Sequence, residues 1–132
     1  MIRTGEGAGI TGVIMNDRTV DVFNPKTIRA TMGSIFRVPF VYVPDLSPVL
    51  TQMHEKGIHT YAAHLKGQKY YDTFSFREPT AFLIGNEGNG LTKEISDQAG
   101  QYLKIPMEGK VESLNASIAA ALLMYEAHRQ RS

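Results

Sequence analysis

The chain has 132 residues, 42% hydrophobic and 20% charged, and fourteen Lys+Arg against thirteen Asp+Glu leave a formal net charge of +1. That size fits one domain around a single core, and the apolar fraction is too high for a disordered chain. The absence of cysteine excludes a disulfide framework, a thiolate zinc site and a Cys nucleophile, while near-neutral charge leaves room only for a local basic patch.

Gly-Val-Ile-Met at 12–15 is a short apolar run closed by Asn16-Asp17, which predicts a buried strand. Before it, Gly5, Gly7 and Gly9 read as small residues in a frayed or closely packed helix. Asn24-Pro25 marks a helix start, with a capping side chain followed by a proline whose missing N–H costs nothing, and Gly33 should stop that helix. Phe40 to Val43 predicts a second strand. Ser47-Pro48 repeats the cap-plus-proline device and Gly57 closes that helix, before a weaker strand from Ile58 to Ala63.

Residues 64–79 read as a surface excursion with one short extended piece. Thr80 to Ile84 is a buried strand running into Gly85-Asn86-Glu87-Gly88-Asn89-Gly90. Thr92 caps a short helix to about Ala99, and Gln101 to Ile105 forms the last strand. From Ser113 the final helix carries Leu114, Ile118, Ala121, Leu122 and Tyr125 as one apolar stripe. His128, Arg129 and Arg131 lie at its end, where the helix dipole favours cations. Strands alternating with helices imply an α/β fold with a mainly parallel sheet covered on both faces. The longest apolar stretch, Ile118 to Tyr125, is about a third of a membrane span, and no basic-then-apolar leader opens the chain. A cytoplasmic protein without membrane contact is therefore expected.

Ligands of parallel sheets bind beyond the carboxyl ends of the strands. One candidate is the 85–90 loop, where three glycines in six residues allow a ligand close to the backbone. No Lys-Ser/Thr follows, so the loop suits a nucleoside held by backbone groups rather than a phosphate; a plain strand-to-helix turn is the alternative. The other candidate runs from Ile105-Pro106-Met107 to Ser113-Leu114-Asn115, at the final helix's N-terminus. Ser113 there is either a ligand contact or only a cap. The histidines at 54, 59, 64 and 128 have no metal-like spacing, so no metal is expected. Arg18, Lys26, Arg29, Arg37, Lys66 and Lys69 are basic residues of the kind that usually face solvent. Arg29 and Arg37 are the pair expected to position a phosphodiester backbone.

Three segments together carry a resemblance. Asn24-Pro25-Lys26 through Arg37-Val38-Pro39 resembles the N-P-K-x-x-R-x-S-x-G-x-x-F-R-x-P stretch of SpoU-type (TrmH-like) RNA methyltransferases. Leu83 to Leu91 is similar to their G-x-E-G-x-G motif. Ile105-Pro106-Met107-Glu108-Gly109 and Ser113-Leu114-Asn115-Ala116-Ser117 resemble I-P-M-x-G and S-L-N-x-S. The resemblance implies a SPOUT fold with a C-terminal trefoil knot, a homodimer, and S-adenosyl-L-methionine (AdoMet) bound in the knot. It implies methyl transfer to a ribose 2′-hydroxyl of ribosomal or transfer RNA.

By the same carry-over Gly85, Ile105 and Leu114 contact the cofactor, mostly through backbone, and Gly90 and Met107 shape its pocket. Ser113 and Asn115 lie at the catalytic centre with Glu87 beside them. Arg3 stands where the family's first motif, N-x-G-x-x-x-R, has its arginine, but the Asn and first Gly of that motif have no counterpart. Arg3 is assigned either a grip on RNA phosphate or stabilisation of the developing alkoxide, because a guanidinium does not give up its proton. Residues 1–132 are accordingly expected to form a methyltransferase catalytic domain lacking its first strand and part of its first helix. An N-terminal RNA-binding region is expected to be missing as well. The alternative is a catalytically incomplete module that binds cofactor and dimerises.

Overall fold

The computed structural model describes residues 2–15, 38–63, 67–85, 93–109 and 116–132. They fall into two compact units, Met1–Asp45 and Leu46–Ser132. In the first, the glycine-rich start forms helix α1 (Ile2–Ala8), as its small residues suggest. Strands β1 (Val13–Met15) and β2 (Phe40–Tyr42) pair in parallel, with Val13 opposite Phe40 and Met15 opposite Tyr42. The ladder continues beyond both ends: Val13 N–H donates to the Pro39 carbonyl at 2.9 Å, and Val43 N–H to that of Met15 at 2.7 Å. The helix expected after Asn24-Pro25, and its stop at Gly33, lie outside the described residues.

The second unit holds α2 (Ser47–Glu55), β3 (His59–Ala63), β4 (Thr80–Leu83), α3 (Lys93–Ser96), β5 (Gln101–Leu103) and α4 (Ala116–Arg131). Its strands run in parallel in the order β4-β3-β5. The expected cap at Ser47 is one residue out. Leu46 takes the cap position without a side-chain hydrogen bond, and Ser47 starts the helix ahead of Pro48. The Ser47 hydroxyl instead accepts from Gln98 Nε2 at 2.9 Å, so a tertiary partner outcompetes the local cap. Helix α2 does end as expected, at Gly57, whose φ of +77° suits a residue without a Cβ.

Strand β3 is the middle of this sheet, and both its faces are covered. On one face Tyr61 joins Phe76, Leu103, Leu123 and Ala127 in the core, which places α4 over that side. Tyr61 and Phe82 each meet Phe76 edge to face, with centroids 5.1 Å apart in both pairs. On the other face Thr60 and Ala62 are buried. There Thr60 Oγ1 accepts the Gly100 N–H at 2.7 Å and is hydrogen-bonded to His54 Nε2 at 2.8 Å. Gly100 permits this approach, since a Cβ at that position would stand 3.1 Å from the Thr60 carbonyl oxygen.

Two expectations are corrected here. The stretch between β3 and β4 is no mere surface excursion, because Phe76 within it is fully buried. Its short extended piece is present: Tyr70 bridges Lys104 in parallel, and a 3₁₀ turn follows at Tyr71–Thr73. The α4 stripe is also not the face that enters the core. Ile118, Leu122 and Tyr125 are 53%, 37% and 46% exposed, whereas Ala120, Leu123, Met124 and Ala127 are buried. The helix is apolar on both sides, and the large aliphatic pair at 123–124 decides which side packs.

Candidate functional site

In strand register, Leu83 of β4 and Tyr102 of β5 both lie opposite Ala62 of β3. Gly85 and Lys104–Ile105 therefore leave the sheet at the same level, on either side of the end of β3. Two interstrand spacings put them about 9–10 Å apart. Between them β3 ends on Ala62, which is fully buried, and on Ala63, which packs against the core. Ile84, Gly85, Ile105 and Met107 are all half-buried, Ile84 against the core.

The exit of β5 is held firmly. Lys104 N–H donates to the Lys69 carbonyl and Tyr71 N–H donates to the Lys104 carbonyl, each at 2.9 Å. Both backbone groups of Lys104 are thus engaged by the 69–71 segment, and this sets the direction in which Ile105-Pro106-Met107 departs. Beneath the site, burial pushes the Tyr61 hydroxyl above its ordinary pKa, with the Glu78 charge adding to the effect. Tyr61 consequently stays protonated, a neutral part of the core wall.

Of the residues singled out from the sequence, Gly85, Ile105 and Met107 are brought to this one edge. Arg3 lies on α1, in the first unit. Glu87, Gly90, Ser113, Leu114, Asn115, Arg29 and Arg37 lie outside the described residues. Sequence reasoning placed the end of β3 at Ala63 and expected a short extended piece in 64–79, but not that Tyr70 would bridge Lys104. The choice of partner left no signal in the sequence.

Residues 1–125 match the model of the SpoU rRNA Methylase family. The chain belongs to that family. It is 35% identical over 125 residues to a Bacillus subtilis protein named 23S rRNA (guanosine(2553)-2′-O)-methyltransferase RlmP, covering 95% of this chain and 50% of the relative. The SpoU methyltransferase AviRb from Streptomyces viridochromogenes, solved in complex with the cofactor AdoMet, superposes with a TM-score of 0.90. The two are 35% identical, and the match covers 98% of this chain and 53% of AviRb. An AdoMet-bound rRNA methyltransferase from Sinorhizobium meliloti gives 0.87 at 35% identity, over 97% of this chain and 49% of that one. The SpoU chain described here spans about half the length of these relatives. Among its described residues no helix is long and apolar enough to cross a membrane.

Proposed function

We propose that this protein transfers a methyl group from S-adenosylmethionine to a ribose 2′-hydroxyl of ribosomal or transfer RNA. The observation that carries the reading is that Gly85 and Ile105 leave the sheet at the same level on either side of β3, in a chain of this family. The 2′-O chemistry is supported by the name of the B. subtilis relative and by a neighbour described as an RNA 2′-O ribose methyltransferase, 32% identical with a TM-score of 0.86.

The residues present suit this cofactor. Ile105 and Met107 are half-buried apolar residues where the chain leaves β5, the kind of surface against which a flat adenosine would lie. The cofactor carries no phosphate, which agrees with a glycine loop that no lysine completes. It supplies a methyl group already activated by its positive sulfur. Gly85, Gly90, Ile105, Met107 and Leu114 hold it, chiefly through backbone N–H and C=O groups. Ser113 and Asn115 align the ribose oxygen with the methyl carbon, with Glu87 beside them as a polar partner. Arg3 either grips a phosphate or stabilises the oxygen as it loses its proton, and Arg29 and Arg37 position the RNA backbone.

In this reading residues 1–132 are the catalytic domain of a longer enzyme with a further RNA-binding region, which the half-length match to relatives supports. The C-terminal segment forms the trefoil knot of SPOUT proteins, supported by the TM-score of 0.90 to AviRb. The active form is a cytoplasmic homodimer. A helix apolar on both sides is ordinarily covered on both, and a second copy seated on Ile118, Leu122 and Tyr125 covers the exposed side of α4. Light scattering that returns a monomer mass would sink that part. The catalytic assignment is tested by Asn115→Ala, which should abolish methyl incorporation into RNA while calorimetry still detects cofactor binding. Full activity in that variant overturns the site.

A further inference from the structure

Along the outer edge of β5 lies a groove of about 300 Å³ lined by Gln68, Lys69, Phe74, Gln101 and Tyr102. We propose that this groove holds one unpaired nucleotide of the RNA substrate, flanking the nucleotide that is methylated; the assignment rests on the RNA methyltransferase reading above.

Its lining combines the groups that unpaired nucleotides require. Single-stranded RNA is held by aromatic faces for stacking, side-chain amides for base edges and cations for phosphate. Phe74 and Tyr102 supply rings, Gln68 and Gln101 supply exposed amides, and Lys69 an exposed ammonium. None of these five lining residues is a carboxylate, which favours an anionic ligand. The volume sits at the small end of ligand pockets and suits a base with part of its sugar rather than a whole cofactor.

The platform is rigid, so little ordering is left for the ligand to impose. The Phe74 ring packs edge-on against Tyr61 at 5.4 Å, and its carbonyl accepts from Gln130 Nε2 at 2.9 Å. The Tyr102 hydroxyl donates to Asp97 Oδ1 at 2.7 Å. That bond also holds the phenol protonated, so the ring enters the groove as a neutral surface.

Position supplies the link to the reaction. The backbone of Lys69 and Tyr71 grips Lys104, the residue before Ile105, so the groove wall and the proposed cofactor loop are one hydrogen-bonded unit. A second cavity among the described residues, about 240 Å³, is lined by His54, Thr60, Gly100 and neighbouring residues, shares Gln101 with the groove, and lies at the amino ends of β3 and β5. It faces away from the strand ends that carry Gly85 and Ile105.

The test uses the whole chain, S-adenosylmethionine and a short single-stranded RNA carrying photoreactive thiouridine. Lys69→Ala should weaken RNA binding about tenfold and lower the log–log salt slope by about one unit, the signature of one lost phosphate contact. Gln101→Ala should weaken binding several-fold and leave that slope unchanged. Both residues are exposed, and calorimetry should return parental cofactor affinity for both variants. Crosslinks should map to the 68–74 peptide. Parental RNA affinity in both variants, or crosslinks confined elsewhere, overturns the groove while the methyltransferase reading stands. Cofactor binding with no RNA binding by the parental chain overturns the substrate reading and the groove with it.

Discussion

Gln130 joins the last turn of α4 to the segment that feeds β4, and its removal gives a sharp stability test. Its Oε1 accepts the Phe76 N–H at 2.6 Å and its Nε2 donates to the Phe74 carbonyl at 2.9 Å. One amide thus pairs with both backbone groups much as a neighbouring strand would. Arg131 adds bonds to the carbonyls of Phe76 and Glu78, each at 2.8 Å, so the segment stays attached when Gln130 is lost. Gln130→Ala leaves an N–H and a C=O without these partners beside a fully buried phenylalanine. Each costs about 1 kcal/mol net, more where water cannot enter, so the expected loss is about 2 kcal/mol. The urea midpoint should fall by roughly 1 M, and exchange of the Phe76 amide should quicken about thirty-fold. Gln130→Glu is the control. Its carboxylate still accepts from Phe76 but sets an oxygen against the Phe74 carbonyl, and only the protonated form can donate there. Its folded-state pKa is therefore raised. The deficit relative to the parent should shrink as pH falls through the carboxylate range and grow as pH rises. A loss below about 0.5 kcal/mol in Gln130→Ala, with unchanged exchange at Phe76, refutes the account.

Two further outcomes concern other parts of the second unit. Thr60→Val keeps the shape of the side chain but strips the partner from the Gly100 N–H and from His54 Nε2. A loss of about 2 kcal/mol should lower the thermal midpoint by roughly 6 °C, and an unchanged midpoint contradicts it. Glu126, buried on α4, accepts from Arg129 Nε at 2.8 and 3.1 Å and from Nη2 as well. These hydrogen bonds hold its carboxyl below the usual range against the opposing cost of burial. A depressed carboxylate stabilises the fold above its unfolded-state pKa, and that contribution is lost as pH falls through the folded-state value. Glu126→Gln should therefore flatten the acid limb of stability against pH; parallel curves for variant and parent would falsify it.

How far the sequence reveals this arrangement depends on whether neighbours along the chain or neighbours in space decide it. Thr80–Leu83 and Gln101–Leu103 were legible because short runs with apolar residues bounded by turn residues suffice to mark strands, here half-buried in β4 and buried at Leu103 in β5. Gly85 and Ile105 stood out as candidate site residues because each follows such a strand. Their position across β3 was not legible, since it depends on the order β4-β3-β5, which no local pattern encodes. Phe74 and Phe76 were read as surface because they belong to no periodic pattern; against Tyr61 and the end of α4, Phe76 is fully buried and Phe74 half-buried. Arg129 and Arg131 were assigned to the helix dipole, yet one engages Glu126 and the other the carbonyls of Phe76 and Glu78.

The two ends of the β4-β3-β5 sheet are built on different terms, and the difference bears on function. At the amino ends, hydrogen bonds close on themselves: Gly100 and His54 on Thr60, and His59 N–H on the Pro79 carbonyl at 2.9 Å. At the carboxyl ends, β4 leads into Gly85 and β5 into Ile105-Pro106-Met107, on either side of Ala63. Pro106 has no N–H to give to a ladder, so the chain must leave the sheet there. The Lys69–Tyr71 segment extends the hydrogen-bonded part of β5 to Lys104. A methyl donor and an acceptor oxygen must be held within a fraction of an ångström of line. Such a site needs loops whose roots are fixed and whose backbone groups are not already committed to strand pairing. Lys104 provides the fixed root. The proline after Ile105 withholds its N–H from any further ladder, which leaves the backbone beyond it free for other partners.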